Sequence, residues 1–143
     1  MNCAFCEIPE NKERMIIEND SAWAFLTDIP IVPGHTLIVP KNCVPTVSDL
    51  TNEEQKAIFD LIEKLKKGLK NSFNSKGFNF AWNENKVAGQ EVAHFHLHML
   101  PRRKGDKGVS EHEPRKFLYR PGSREKTTQG ELKEIVELIK TNL

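Results

Sequence analysis

Residues 92–100 read Val92-Ala93-His94-Phe95-His96-Leu97-His98-Met99-Leu100, with a histidine at every second position through the middle. Successive side chains of an extended chain alternate between the two faces of a sheet. The stretch therefore reads as a central strand over 92–100 that sets His94, His96 and His98 side by side, roughly 6.5 Å apart per step. Phe95, Leu97 and Met99 fall on the opposite face and are expected in the core. The whole chain holds five histidines, so three in one row ask for a reason. On the residues themselves four readings stay open. They are a polar outer face, an all-histidine metal site, nucleophilic catalysis by one imidazole with its neighbours setting tautomer and leaving group, and a row divided between metal and chemistry.

Outward from the row, the pattern alternates strands and helices. Residues 14–18 (RMIIE) and 22–27 (AWAFLT) read as short strands parted by the turn signal Asn19-Asp20-Ser21. Pro30-Ile31-Val32-Pro33-Gly34 is a turn that delivers His35 into the β-branched run 36–39, closed by Pro40. Thr51 and Glu54 have capping-box spacing. After them Ile58, Leu61, Ile62, Leu65, Leu69 and Phe73 recur at three- and four-residue steps and predict a helix over 51–74. Its lysines fall largely elsewhere and are expected on a solvated face. Residues 77–83 (GFNFAWN) read as a strand with Phe78, Phe80 and Trp82 on one side, expected in the core rather than as a base-stacking platform. A second capping-box spacing at Thr128 and Glu131 opens a terminal helix over 129–141, whereas residues 101–127 show no clean period and read as a loop.

Composition bounds the function classes. The 143 residues suit one core, and 38% hydrophobic with 29% charged residues is ordinary for a globular chain. A net charge of +1, from 21 basic and 20 acidic residues, gives no global field for nucleic acid or a membrane surface. No apolar run approaches the about 20 residues of a membrane helix, and no secretory signal is visible at the N-terminus. Three cysteines do not close a disulfide framework, so a reducing, cytoplasmic setting is expected. Cys3-x-x-Cys6 alone is a weak two-ligand signal, and Cys43 is the third thiol.

Gly89-Gln90-x-x-x-His94-x-His96-x-His98, followed by Pro101-Arg102, resembles the signature of the histidine triad (HIT) superfamily. Pro33-Gly34-His35-Thr36-Leu37-Ile38-Val39-Pro40-Lys41 is similar to that family's earlier strand, and the order of elements also agrees. The resemblance implies an α+β, HIT-like fold: an antiparallel sheet of about five strands, one long helix and a C-terminal helix. It places a HIT domain at residues 1–108 and a C-terminal loop and helix extension at 109–143. It further implies binding of a purine nucleotide or dinucleoside polyphosphate and cleavage at the α-phosphate. His96 is then the nucleophile that forms a nucleotidyl-histidine, with His98 on the phosphate side. Thr27, His35, Asn83, Gln90 and Glu91 are the implied substrate-binding positions. Two of these depart from the family pattern: Glu91 stands where many members carry serine or threonine, and Thr27 where an Asp or Asn grips the ribose.

A zinc-bearing subset of the family has an N-terminal Cys-x-x-Cys and often a histidine at the position of Cys43. Similarity to that subset implies a structural zinc on Cys3, Cys6, Cys43 and His94. Leu97 stands where a phosphorylase-type member would carry Gln, which favours hydrolysis. A homodimer through the long helix and the aromatic strand is expected by resemblance only. The alternative class is a nucleotide-binding adaptor with little catalysis, and a zinc-stabilised scaffold is a third.

Overall fold

Alternation, not strand length, decides how this chain layers. The computed structural model describes residues 3–106 and 126–143. In it β1 (Met15–Glu18), β2 (Ala22–Leu26), β3 (Thr36–Pro40), β4 (Gly77–Ala81) and β5 (Leu97–Arg102) form one antiparallel sheet in the order β1-β2-β3-β5-β4. Helix α1 (Asn52–Phe73) follows β3, and α2 (Gln129–Thr141) ends the chain. This is the α+β architecture the sequence predicts.

The two faces of the sheet have separate occupants. Ala24, Leu26, Ile38, Leu97 and Met99 point to one side, where α1 lays Ile58, Leu61, Leu65 and Leu69 against them. From α2, Leu132, Val136 and Ile139 enter the same cluster. Trp23, Phe25, Leu37 and Val39 point to the other side and meet the buried Phe5 and Ile8 of the N-terminal segment, with Cys3, Met15 and Val92 packed partly against them. Leu37 pairs with His98 across β3 and β5, and residues paired across antiparallel strands share a face. His98 therefore lies on the side away from the helices.

Local signals behave as read. Thr51 accepts from the Glu54 N–H at 3.1 Å while Glu54 accepts from the Thr51 N–H at 2.9 Å, so the capping box starts α1 as expected. Lys56 pairs with Asp60 and Lys66 with Glu63 on its exposed side. Gly34 has φ of +86°, and a Cβ there would lie 2.7 Å from the Phe73 ring. The turn that delivers His35 thus needs glycine.

Two expectations fail. The histidine stretch is not a strand over 92–100: β5 begins at Leu97, and residues 92–94 form a bend. The ladder with β3 stops at Ile38 and Leu97. Continued, it would reach Pro40, which has no N–H to give. Instead the Phe95 N–H turns to the Val44 carbonyl at 2.6 Å. Second, the aromatics of 77–83 are not all core. Phe78 packs partly against the main cluster, but Phe80 and Trp82 are 42% and 44% exposed, because β4 is an edge strand that the helices do not cover. The loop read at 101–127 lies mostly outside the described residues; its start continues β5 to Arg102. Among the described residues no helix is long and apolar enough to cross a membrane.

Leu65→Ala is expected to cost about 2–5 kcal/mol of unfolding free energy, the range for emptying a packed core site. Gly34→Ala should cost about 1–3 kcal/mol, from left-handed strain and the Phe73 contact. Urea denaturation of both variants checks this, and a Gly34→Ala protein as stable as the wild type would refute the turn argument.

Candidate active site

Three side chains from distant points of the sequence meet at His94. Cys3 and Cys6 lie in the N-terminal turn, Cys43 follows β3, and the three sulfurs and one His94 nitrogen all lie within 4.8 Å of one another. His94 is fully buried, and its Nε2–H donates to the Pro40 carbonyl at 2.7 Å. A carbonyl only accepts, so the proton is fixed on Nε2 and the Nδ1 lone pair faces the thiols. That nitrogen is 3.4 Å from Cys3 Sγ and 3.6 Å from Cys6 Sγ. A tetrahedral zinc with bonds of about 2.3 Å to sulfur and 2.0–2.1 Å to nitrogen has S···N edges of about 3.6 Å. The donor set is thus preset in tautomer and spacing, and these four residues could hold a metal ion.

The thiols respond to one another. Burial alone would raise Cys3, but hydrogen bonds from the Cys6 and Phe5 backbone, together with the Cys6 and Cys43 thiols, bring it below its ordinary value. Cys6 is pushed up to about 12, by burial first and then by its two sulfur neighbours. Cys43 also rises, chiefly by burial. Three thiolates do not coexist there without a cation to offset them.

The same backbone sets the next histidine. The His94 carbonyl accepts from His96 Nδ1–H at 2.8 Å, which leaves the lone pair of His96 on Nε2. His96 is 9% exposed, and burial holds its imidazole below the ordinary 6.5, with the His94 bond opposing. It is therefore neutral near pH 7 and nucleophilic at Nε2.

His98 is set by a relay. The Ile31 N–H donates to His35 Nδ1 at 3.1 Å, so His35 must carry its proton on Nε2. That nitrogen lies 2.9 Å from His98 Nδ1, which accepts. His98 then holds its proton on Nε2, as a donor. Its ring centroid is 5.1 Å from that of His96. One imidazole presents a lone pair and its neighbour presents a proton, an arrangement suited to attack on an electrophile whose oxygens need a donor.

The remaining expected residues divide. His35 is 1% exposed, and its Nε2 meets the site at His98. Gln90 is buried and clamps the loop before the histidines: its Oε1 accepts from the Asn85 N–H at 2.7 Å and its Nε2 donates to the Pro45 carbonyl at 2.8 Å. Asn83, also buried, donates to the Ala88 carbonyl at 2.8 Å. Thr27 Oγ1 accepts from the Ile29 N–H at 3.3 Å, and its own N–H donates to the His35 carbonyl. Beside it, Asp28 faces Arg14 at 3.8 Å and Lys126 at 3.5 Å. Glu91 is exposed. Arg102, which ends β5 and opens the basic loop Arg102-Arg103-Lys104, is held by Asp106 in a two-bond pair and by Asn79. Sequence reasoning passed over Phe5, whose ring meets both His94 and His96; its one sequence signal is an aromatic residue inside the Cys-x-x-Cys.

Comparison with known proteins bears on this geometry. The family model described as HIT domain matches residues 8–105. This chain belongs to the HIT family. It is 38% identical over 103 residues to an uncharacterized 16.1 kDa HIT-like protein of Mycoplasma pneumoniae, covering 71% of this chain and 72% of that one. It is 35% identical over 95 residues to the bis(5'-adenosyl)-triphosphatase of Dictyostelium discoideum, covering 66% and 64%. A zinc-bound histidine triad family protein from Mycobacterium smegmatis superposes with a TM-score of 0.74 at 26% identity, covering 99% of this chain and 93% of that one. The HIT family thus includes hydrolases of dinucleoside polyphosphates and a zinc-bound member.

Long-range proton–nitrogen spectra at neutral pH are expected to show His96 protonated at Nδ1 and His94 and His98 at Nε2. An Nε2-protonated His96 would overturn the assignment of its lone pair.

Proposed function

We propose that this HIT protein is a nucleotide hydrolase that cleaves the α-phosphate of a nucleoside phosphoramidate or a dinucleoside polyphosphate through a nucleotidyl intermediate on His96. The observation that carries the reading is the His94 carbonyl on His96 Nδ1 at 2.8 Å, which leaves the lone pair on Nε2. His96 Nε2 attacks phosphorus, the bond from phosphorus to the leaving oxygen or nitrogen breaks, and a phosphorus–nitrogen bond forms. His98 Nε2–H donates to a phosphate oxygen as negative charge builds up. A departing polyphosphate leaves as an anion, whereas the nitrogen of a phosphoramidate takes a proton from solvent and leaves as a neutral amine. Water then attacks phosphorus, Nε2 departs as neutral imidazole, and the proton of water passes to solvent. A nucleoside monophosphate is released. His35 holds His98 in the donor tautomer, and Gln90 and Asn83 shape the loop that precedes the histidines. Thr27 and Glu91 are retained as substrate-side positions, where a bound nucleotide would meet a hydroxyl and an exposed carboxylate.

The metal in this reading is one zinc held by Cys3, Cys6, Cys43 and His94, in a closed, structural role. It would offset the charge of the thiolates and tie the N-terminal turn to the histidine segment. Family resemblance also supports a homodimer. The exposed Phe80 on edge strand β4 and Trp82 just past its end, with Phe59 exposed on α1, are the surface that a second copy would cover.

Incubation with an adenosine phosphoramidate and with diadenosine polyphosphates tests the chemistry. His96→Ala is expected to lower adenosine monophosphate release by roughly 10³-fold or more, the scale on which loss of a covalent nucleophile acts. Release that survives the substitution refutes the role of His96. Absence of turnover in the wild type with retained nucleotide binding would instead point to the adaptor reading. Metal analysis should find about one zinc per chain, lost in Cys3→Ser and in Cys43→Ser. His94→Ala should lose both zinc and thermal stability while His96→Ala keeps them.

A further inference from the structure

We propose that Phe5 is a positioning residue for His96 and that it conveys the state of the metal group to that imidazole, an inference that rests on the nucleophile reading above. Phe5 stands between two of the thiols, in a turn whose Cys6 N–H donates to the Cys3 carbonyl at 3.0 Å. Its ring meets the His96 ring edge-on, with centroids 4.8 Å apart and planes at 71°. The same ring meets His94 at 6.0 Å and 65°. Behind it lies Phe25, fully buried in β2, at 5.2 Å. The ring is therefore wedged between the floor of the sheet and the two imidazoles.

That wedge is needed where it sits. One hydrogen bond, through Nδ1, orients the His96 ring. A single bond at one nitrogen leaves the plane of the ring free to rock about it, and Nε2 moves with that plane. Edge-to-face aromatic packing is directional, so the Phe5 ring restricts the rocking in a way an aliphatic side chain of similar volume does not.

The seat of Phe5 depends in turn on the thiols. Its downstream end is anchored by Ile8 in the minor cluster. Upstream, residues 3–6 belong to no strand or helix, and ordering each of them opposes folding. Cys3 and Cys6 are the side chains that fasten this end, toward His94 and Cys43. A cation held by the four donors would fasten the turn that carries Phe5. Without the cation this end is held by the contacts of Cys3 and Cys6 Sγ with His94 Nδ1, at 3.4 and 3.6 Å. His94 adds a second link, because one residue supplies the ligand ring and the carbonyl that bonds His96. Phe5 is the link that can be cut while all four ligands stay in place.

The test compares wild type with Phe5→Leu, each stripped by chelator and titrated with Zn²⁺. In wild type the His96 ring nitrogens are expected to sharpen into one Nδ1-protonated species in step with zinc occupancy. Phe5→Leu should take up the same single equivalent, yet keep the broadened His96 signals of the metal-free protein. With an adenosine phosphoramidate its kcat should fall about two- to tenfold, the range an aromatic edge contact commands, with KM within about twofold. A Phe5→Leu protein that loads zinc and shows the wild-type His96 signature and kcat overturns the proposal, leaving Phe5 as core filling. Should the variant fail to fold or load, the wild type alone decides through the proton–proton Overhauser contact between the Phe5 and His96 rings. That contact must weaken on chelation and return with zinc, and a contact indifferent to zinc overturns the coupling. If no nucleotide substrate turns over at all, the nucleophile reading fails while these ring signals still test the link.

Discussion

The hydrogen bond from His94 Nε2 to the Pro40 carbonyl, 2.7 Å long and fully buried, is the constraint on which the site is built. It joins β3 to the histidine segment at the point where the β ladder has stopped, and it removes one of the two tautomers of His94. With that nitrogen committed, Nδ1 can only accept, and it faces sulfur. The carbonyl of the same residue then commits His96 Nδ1 in the opposite sense. Two neighbouring imidazoles thus differ through one residue's geometry, the first turning its Nδ1 lone pair to the sulfurs and the second keeping its lone pair at Nε2. Buried polar groups are costly unless bonded, so each of these protons has one satisfactory position.

The sheet separates stability from chemistry. The face toward α1 and α2 carries the larger apolar cluster, and burial of that kind is the dominant favourable contribution to folding. The opposite face has a smaller cluster, closed by Phe5 and Ile8 from a segment without regular strand pairing. The histidines stand at the border of this thinner layer. A metal ion held by Cys3, Cys6, Cys43 and His94 at the same border would supply cross-links where apolar area is scarce. Removing a core leucine and removing a thiol therefore act on different parts of the molecule.

The substrate-side positions show how resemblance and geometry complement each other. Gln90 and Asn83 use their amides to bind the chain itself, and so shape the loop over 83–90. His35 acts through His98. Thr27 offers one hydroxyl, already accepting from Ile29, beside an Asp28 drawn to two cations. Arg102 is engaged by Asp106 and Asn79, which leaves Arg103 and Lys104 as the exposed cations of the described basic loop.

Much was legible in the sequence because it is local. The capping box at Thr51 and Glu54, the 3.6-residue period of α1, the alternation that sends Phe95, Leu97 and Met99 inward, and the glycine turn before His35 depend on near neighbours in the chain, and the structure keeps all of them. The likeness of the Gly-Gln and alternating-histidine motif to the HIT family added the order of strands and the grouping of the cysteines. Tertiary structure alone decided what depends on which distant segments meet. Pro40 ends the ladder and leaves His94 and His96 ahead of the strand rather than in it. The edge position of β4 exposes Phe80 and Trp82, which pattern alone would bury. The tautomers of His94, His35 and His98 follow from Pro40, Ile31 and His35, partners 54, 4 and 63 residues away, whereas that of His96 is set by His94 two residues before it. Phe5 joined the site only because the N-terminal turn folds back onto the face opposite the helices, a packing choice that no periodicity encodes.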